Sequence, residues 1–146
     1  MAYIDTSVLA AYYCPEALSA KATRELQRDR SRMISPFVEL ELISAIAMKT
    51  RTRELSTDDA RAIVAEFRKH LAAQFFQIVE IGRDEYATAS AWLTSFSTAL
   101  RASDSLHLAA AFLRDIPLVT ADRALAKAAT ALGVKCTTVE IGRAHV

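Results

Sequence analysis

Two aspartates stand just beyond apolar runs, a familiar place for active-site acids in open α/β sheets. Asp5 directly follows residues 2–4, and Asp122 follows residues 117–120 after a single alanine. Each run has the length and composition of a buried β-strand. Ligands of parallel sheets bind in the crevice beyond the carboxyl ends of the strands. The spacing therefore favours an acidic site, with capping of the following helix as the alternative for each residue.

Two further acids lie in helical patterns, on faces that carry apolar neighbours. Glu41 falls on the same side of a helical wheel as Phe37, whereas Glu39 falls on a different flank. Asp104 lies in the first turn of a predicted helix and shares a face with Leu108. A carboxylate on an apolar face needs a partner, because an isolated buried charge is very costly. A salt bridge for Glu41 and a helix-dipole interaction for Asp104 are the alternatives.

Four carboxylates gathered at one edge of a sheet cannot all stay ionised without positive charge among them. Either their pKa values are raised or divalent cations are bound. The chain has only three histidines and no cysteine pair at metal-binding spacing, so the ligands would all be oxygen atoms. Oxygen ligation suits Mg²⁺ or Mn²⁺ rather than Zn²⁺. Such sites usually act on phosphate esters, with a metal-activated water as the nucleophile.

The elements that must position these acids alternate along the chain. Strand-like runs lie at 2–5, 33–34, 75–81, 117–120 and 135–141. Helical patterns lie at about 15–30, 36–50, 56–73, 84–96, 103–115 and 122–132. The alternation predicts an α/β fold with a mostly parallel central sheet covered by helices on both faces. We expect residues 1–141 to form a single domain and residues 142–146 a flexible tail.

Composition indicates a globular protein and excludes several other classes. The chain has 146 residues, of which 52% are hydrophobic and 24% charged, enough for one domain with a core. It has no apolar run long enough to span a bilayer and no signal-peptide pattern. Cys14 and Cys136 form no CxxC pair, and we expect both to be core thiols in a reducing cytoplasm. Because the net charge is only +1, nucleic-acid binding would need a local basic patch.

Four short segments fit one family pattern in order and spacing across nearly the whole chain. They are YIDTSVL at 3–9, ISPFVELEL at 34–42, ASDSLHLAA at 102–110 and LVTADR at 118–123. In these segments the chain resembles PIN-domain ribonucleases, specifically the VapC-type toxins of bacterial toxin–antitoxin pairs. The resemblance implies a three-layer α/β/α sandwich with a mostly parallel central sheet. It also implies an acidic pocket that binds Mg²⁺ or Mn²⁺.

The resemblance assigns roles to particular residues. The family's catalytic and metal-binding acids fall on Asp5, Glu41, Asp104 and Asp122. Of these, Asp122 would complete the pocket and the other three would hold the catalytic ion. The spacing within the second segment selects Glu41 over Glu39, in agreement with the helical wheel. Ser7 and Thr120 resemble the small hydroxyl residues that hold those acids in place.

The activity that the resemblance implies is endoribonucleolytic cleavage by the toxin of a toxin–antitoxin pair. A metal-activated water would attack an RNA phosphodiester in line, and the 2′-hydroxyl would not be the nucleophile. The implied partners are a second copy of the chain in a homodimer and a cognate VapB-type antitoxin. The antitoxin would cover the groove and often place an arginine among the acids. The implied location is the cytoplasm, with no membrane partner.

Several basic residues and one histidine are secondary candidates. Arg28, Arg30 and Lys49 belong to basic segments that could contact RNA phosphates, and solvated helix ends are the alternative. His107 follows Asp104 by three positions and is either a proton shuttle or a partly buried structural histidine.

Two other functions stay open beside the ribonuclease. One is a catalytically silent PIN-like binding module, which the presence of all four acids disfavours. The other is a different carboxylate-dependent phosphoesterase, such as a phosphatase with an aspartate nucleophile. That chemistry needs a second acid two residues after the first, where this chain has Ser7.

Overall fold

Five parallel strands form one central sheet in a computed structural model of the chain, which describes residues 1–140. The strands are β1 (Ala2–Ile4), β2 (Arg32–Ile34), β3 (Gln77–Ile78), β4 (Leu118–Thr120) and β5 (Cys136–Thr138). Their order is β3-β2-β1-β4-β5, and every neighbouring pair is parallel. β1 is therefore central, and its carboxyl end lies between those of β2 and β4.

Helices cover both faces of the sheet. They are α1 (Thr6–Tyr13), α2 (Ser19–Arg28), α3 (Pro36–Arg51), α4 (Thr57–Ala72), α5 (Arg83–Thr94), α6 (Ala102–Arg114) and α7 (Arg123–Ala131). Right-handed crossovers between these parallel strands place α1–α4 on one face and α5–α7 on the other. The predicted α/β/α sandwich is confirmed, and its sheet is parallel throughout.

The segment after β1 differs most from the sequence prediction. Instead of one helix over 15–30, the structure has α1 and α2, with Pro15 in the link between them. Helix α1 begins directly after Asp5 and buries Val8 and Leu9 completely. Its residues are almost all apolar, so they lack the 3.6-residue alternation that identifies an amphipathic helix. A helix that is buried on most sides cannot be recognised by that period.

Strand β3 is much shorter than the run that predicts it. Residues 75–81 have strand composition, but only Gln77 and Ile78 pair with β2. Both are exposed at the edge of the sheet, where one neighbour alone supports the ladder. The flanking Phe75 and Phe76 instead pack against each other, with ring centroids 4.9 Å apart.

The core lies between the sheet and the two helical layers. Its largest fully buried side chains include Tyr3, Leu9, Leu42, Phe67 and Leu108. Burying each of these contributes about 1.5–3 kcal/mol to folding. In the described part of the chain, no helix is both long and apolar enough to cross a membrane. The tail predicted at 142–146 lies outside the described residues.

Candidate active site

Asp5 is the first residue beyond the central strand and is only 4% exposed. Thr120 donates a hydrogen bond to Asp5 Oδ2 at 2.7 Å, and Ser7 donates one to Oδ1 at 2.6 Å. Desolvation by burial raises the pKa of Asp5, while these two hydrogen bonds act in the opposite direction. Both carboxylate oxygens are therefore held in one orientation at the carboxyl edge of the sheet.

The two hydroxyls that hold Asp5 also join the ends of β1 and β4. Ser7 Oγ accepts a hydrogen bond from the backbone N–H of Ala121 at 2.9 Å. Thr120 Oγ1 accepts one from the backbone N–H of Asp122 at 3.0 Å. The side chains that fix Asp5 thus also fix the backbone that carries Asp122. That Ser7 and Thr120 serve a catalytic site in this way stays a prediction.

Asp122 caps helix α7 and is exposed. Its Oδ1 accepts hydrogen bonds from the backbone N–H groups of Ala124, at 2.9 Å, and Leu125, at 3.1 Å. Within residues 1–140, all hydrogen bonds to this carboxylate involve Oδ1. Capping and a role at the site are therefore compatible, because one oxygen suffices for the cap.

Glu41 is half-buried on α3 and is held by two donors at the same oxygen. Thr6 donates to Oε1 at 2.7 Å, and His107 Nε2 lies 2.5 Å from that atom. Burial alone would raise the pKa of Glu41, but the hydrogen bonds from His107 and Thr6 and the imidazole charge lower it overall. The pattern of acids did not reveal Thr6 as a partner of Glu41. Its position directly after Asp5 is the one signal that could have done so.

His107 is 2% exposed and forms hydrogen bonds through both ring nitrogens. Beyond its contact with Glu41, His107 Nδ1 lies 2.8 Å from the Tyr3 hydroxyl, which lies 2.9 Å from Ser35 Oγ. Ser35 in turn caps α3 by accepting from the backbone N–H of Val38 at 3.3 Å. This polar chain through the core fixes the orientation of the imidazole, and through it that of Glu41.

Asp104 is half-buried in the first turn of α6. Desolvation raises its pKa first, and the nearby negative charges of Asp122 and Glu41 raise it further. The charges of His107 and Arg101 oppose these effects but do not outweigh them. Asp104 thus shares one electrostatic neighbourhood with acids carried by α3 and by the start of α7.

The donor atoms of this site fit a hard divalent cation. Four carboxylates supply only oxygen, which Mg²⁺ and Mn²⁺ prefer. In the structure as it stands, no three His, Cys, Asp or Glu side chains within residues 1–140 are close enough together to hold a metal ion. Side-chain rotation of Glu41 or Asp104 would therefore have to accompany metal binding, because both oxygens of Asp5 are already fixed by hydrogen bonds.

The basic residues singled out for RNA contact lie away from these acids. Arg28 and Arg30 precede β2, at the amino-terminal edge of the sheet, whereas Asp5 lies at the carboxyl edge. Lys49 is near the end of α3, where it forms ion pairs with Glu54 at 3.2 Å and Glu16 at 4.0 Å. RNA contact by these three residues stays a prediction.

Several solved structures share this fold at low sequence identity. FitAcB from Neisseria gonorrhoeae has a TM-score of 0.71 and 16% identity, covering 94% of this chain and 97% of that one. VapBC2 from Rickettsia felis, bound to a promoter DNA fragment, has a TM-score of 0.67 and 14% identity, with 97% and 100% covered. VapC20 from Mycobacterium tuberculosis, a sarcin–ricin-loop-cleaving toxin, has a TM-score of 0.63 and 20% identity, with 81% and 87% covered. At these identities the likeness shows the fold alone.

Comparison of the sequence with protein families identifies the chain more directly. None of the proteins with a curated function matches it. Residues 2–131, however, match the model of the PIN domain, and this span includes all four acids and all the side chains that hold them. The chain therefore belongs to the PIN-domain family.

Proposed function

We propose that this PIN-domain protein is a Mg²⁺- or Mn²⁺-dependent endoribonuclease and the toxin of a cytoplasmic toxin–antitoxin pair. The observation that carries the proposal is a group of acids at the carboxyl edge of the sheet, of which, within residues 1–140, Glu41 alone has a basic partner, the imidazole of His107. Within residues 1–140, no lysine or arginine forms a salt bridge with any of them. The acids are Asp5, Glu41, Asp104 and Asp122.

The chain's own residues account for the positioning that this chemistry requires. Asp5, Glu41 and Asp104 would hold the ion, and Asp122 would complete the pocket. When bound, the ion would activate a water for in-line attack on an RNA phosphodiester and neutralise the developing charge. Asp5 is held by its two hydroxyl donors, so little reorientation remains for this group, whereas Glu41 or Asp104 would rotate to reach the ion.

The negative charge of these acids also supports a protein inhibitor as a partner. An arginine from a cognate VapB-type antitoxin would satisfy carboxylates that the chain leaves without a cation. Among the structures that share the fold, one is a toxin–antitoxin complex from Klebsiella pneumoniae and another is VapBC from Salmonella typhimurium bound to DNA. Exposed apolar side chains, among them Leu40 and Met48 on α3, support a homodimer.

The proposal is tested by incubating the purified protein with total RNA in Mg²⁺ or Mn²⁺, with and without a chelator. Asp104→Asn is compared with Asp115→Asn, a matched change at the exposed opposite end of α6. We expect metal-dependent cutting at few sites by the wild type and by Asp115→Asn, but not by Asp104→Asn. The cut ends should carry no 2′,3′-cyclic phosphate.

Two results would contradict the proposal. Cutting that persists in the chelator, or in Asp104→Asn, would exclude a metal site built on these acids. Absence of both cutting and metal binding in the wild type would favour a silent binding module.

A further inference from the structure

A groove adjoins the acids and is not part of the cluster itself. Its volume is 350 Å³, and it lies between the segment 97–100 and helix α7. Asp104 lines one part of it, so the groove opens directly onto the acidic edge. Its size lies within the range of about 300–1,000 Å³ that is typical of small-ligand pockets.

The lining of the groove combines apolar carbon with a few polar groups. Leu100, Leu125 and four alanines provide the apolar surface. The hydroxyl groups of Ser97 and Thr98 and the amine of Lys127 are the polar groups, apart from Asp104. Flat apolar walls with isolated hydrogen-bonding groups and one cation suit a nucleobase attached to a phosphate.

An exposed aromatic residue is adjacent in the chain to the segment 97–100 that lines this groove. Phe96 directly precedes the lining segment and is 89% exposed, more than any other large apolar residue in the described chain. Its backbone is left-handed, with φ 55°, a conformation usually taken by glycine or asparagine after a helix. The flanking Ser95 and Ser97 hydroxyls lie 2.8 Å apart and fix the turn that carries it.

We propose that this groove binds one nucleotide of single-stranded RNA, adjacent to the phosphodiester that is cleaved. The base stacks on Phe96 and against the apolar wall, and Lys127 contacts a backbone phosphate. This inference rests on the proposed ribonuclease function and adds to it a base-stacking residue, Phe96, and a phosphate contact, Lys127. A base held within a double helix cannot turn its face onto Phe96, so paired RNA is excluded.

Nucleotide binding can be measured without any cleavage. ¹⁵N-labelled protein is titrated with 5′-AMP and 5′-UMP in Mg²⁺, since neither contains an internucleotide bond. We expect the amide signals of residues 97–100 and of α7 to shift. Base stacking is lost in Phe96→Ala, which should weaken binding by about 5- to 100-fold. Phe96→Trp should retain it, and Lys127→Gln should weaken it by roughly threefold.

The control variant is Tyr86→Ala, which removes an exposed aromatic side chain on α5 that does not line the groove. We expect it to bind both nucleotides as the wild type does. Unchanged nucleotide affinity in Phe96→Ala would overturn the inference. If light scattering then also showed a loss of dimer in that variant, Phe96 would be a subunit contact.

The outcome is distinguishable from that of the ribonuclease proposal. If the amide signals of the groove residues shift in a way that depends on Phe96, but the protein cuts no RNA, the nucleotide site is supported and the nuclease proposal is rejected. If RNA is cut in a metal-dependent way, but the amide signals of the groove do not shift and Phe96→Ala has no effect, the nuclease is supported and the nucleotide site is rejected.

Discussion

Two regions of this protein bury carboxylates, and the pKa of the carboxylate is lowered in one region and raised in the other. Glu85, on α5, is 7% exposed and accepts hydrogen bonds from Arg114 at 3.0 Å and from the Gly82 backbone at 2.9 Å. Burial alone would raise the pKa of Glu85, but these hydrogen bonds and the Arg114 charge lower it overall. At the carboxyl edge of the sheet, burial raises the pKa of Asp5 and of Asp104, and no lysine or arginine within residues 1–140 forms a salt bridge with either.

The difference separates a carboxylate that has an arginine partner in the fold from carboxylates that, within residues 1–140, have no lysine or arginine partner. Because Arg114 neutralises Glu85 inside the protein, that pair joins α5 to the end of α6. Burial destabilises the ionised form of Asp5, and the charges of Asp122 and Glu41 add to the effect of burial on Asp104, so the folded protein without a ligand carries this cost. Functional sites commonly reduce stability in this way.

The largest expected effect comes from neutralising Asp104. Asp104→Asn should lower the rate of RNA cleavage by about a hundredfold or more, because a carboxylate at the reacting centre is lost. Its Tm without metal should stay level or rise, because repulsion from Asp122 and Glu41 is relieved. Single-turnover cleavage and thermal unfolding in a chelator measure the two effects. A lower Tm would show that Asp104 stabilises the fold, as Glu85 does.

An intermediate case is Glu41, whose partner is an imidazole. His107→Leu removes the contacts to both Glu41 and Tyr3, and should lower kcat by about 10- to 100-fold with little change in KM. His107→Gln keeps a donor and should recover part of the loss. A variant whose kcat is normal in the folded fraction would show that the buried histidine serves packing alone.

Breaking the internal pair should affect stability and leave the chemistry unchanged. Glu85→Gln is expected to lower the free energy of unfolding by about 1–3 kcal/mol, towards the lower end because Arg114 is partly exposed. Urea unfolding measures this loss. RNA cleavage per folded molecule should match the wild type, and a decrease would link α5 to the site.

The smallest expected effect is a difference in pH dependence between these variants. The pKa of Asp104 is raised in the folded protein, so the ionised carboxylate lowers the free energy of unfolding. This destabilisation is complete above the raised pKa and disappears as pH falls towards about 4. Any advantage of Asp104→Asn should therefore shrink as pH decreases through the raised pKa. Glu85 has a lowered pKa, so its stabilisation persists to lower pH and is lost only as pH falls through that value.

Urea unfolding of the metal-free wild type and both variants, from pH 7 to pH 3, measures this difference. As pH is lowered, the loss of unfolding free energy in Glu85→Gln should persist to a lower pH than the gain in Asp104→Asn. Parallel curves for the two variants would mean that both acids have equivalent surroundings.

The positions of Asp5, Asp104 and Asp122 in the fold could be predicted because each has a local signature, whereas their roles stay predictions. Asp5 and Asp122 follow strands, and Asp104 lies in the first turn of an amphipathic helix. Several buried polar pairs left weaker signals, because their members are far apart in the chain. Tyr3 and His107 are 104 positions apart, and Glu85 and Arg114 are 29 apart. Hydrophobic periodicity and residue spacing in the sequence do not indicate which buried polar groups form hydrogen bonds with each other.

The hydrogen bond between Asp5 and Thr120 has a consequence for synthesis of the protein. The two residues are 115 positions apart, and β1 lies between β2 and β4 in the sheet. A ribosome adding about 5–20 residues per second needs roughly ten seconds to travel from one to the other. Until β4 emerges, Asp5 lacks the Thr120 donor and Asp122 does not yet exist. Translation therefore yields a nascent chain whose group of acids and hydroxyl donors is incomplete for that interval.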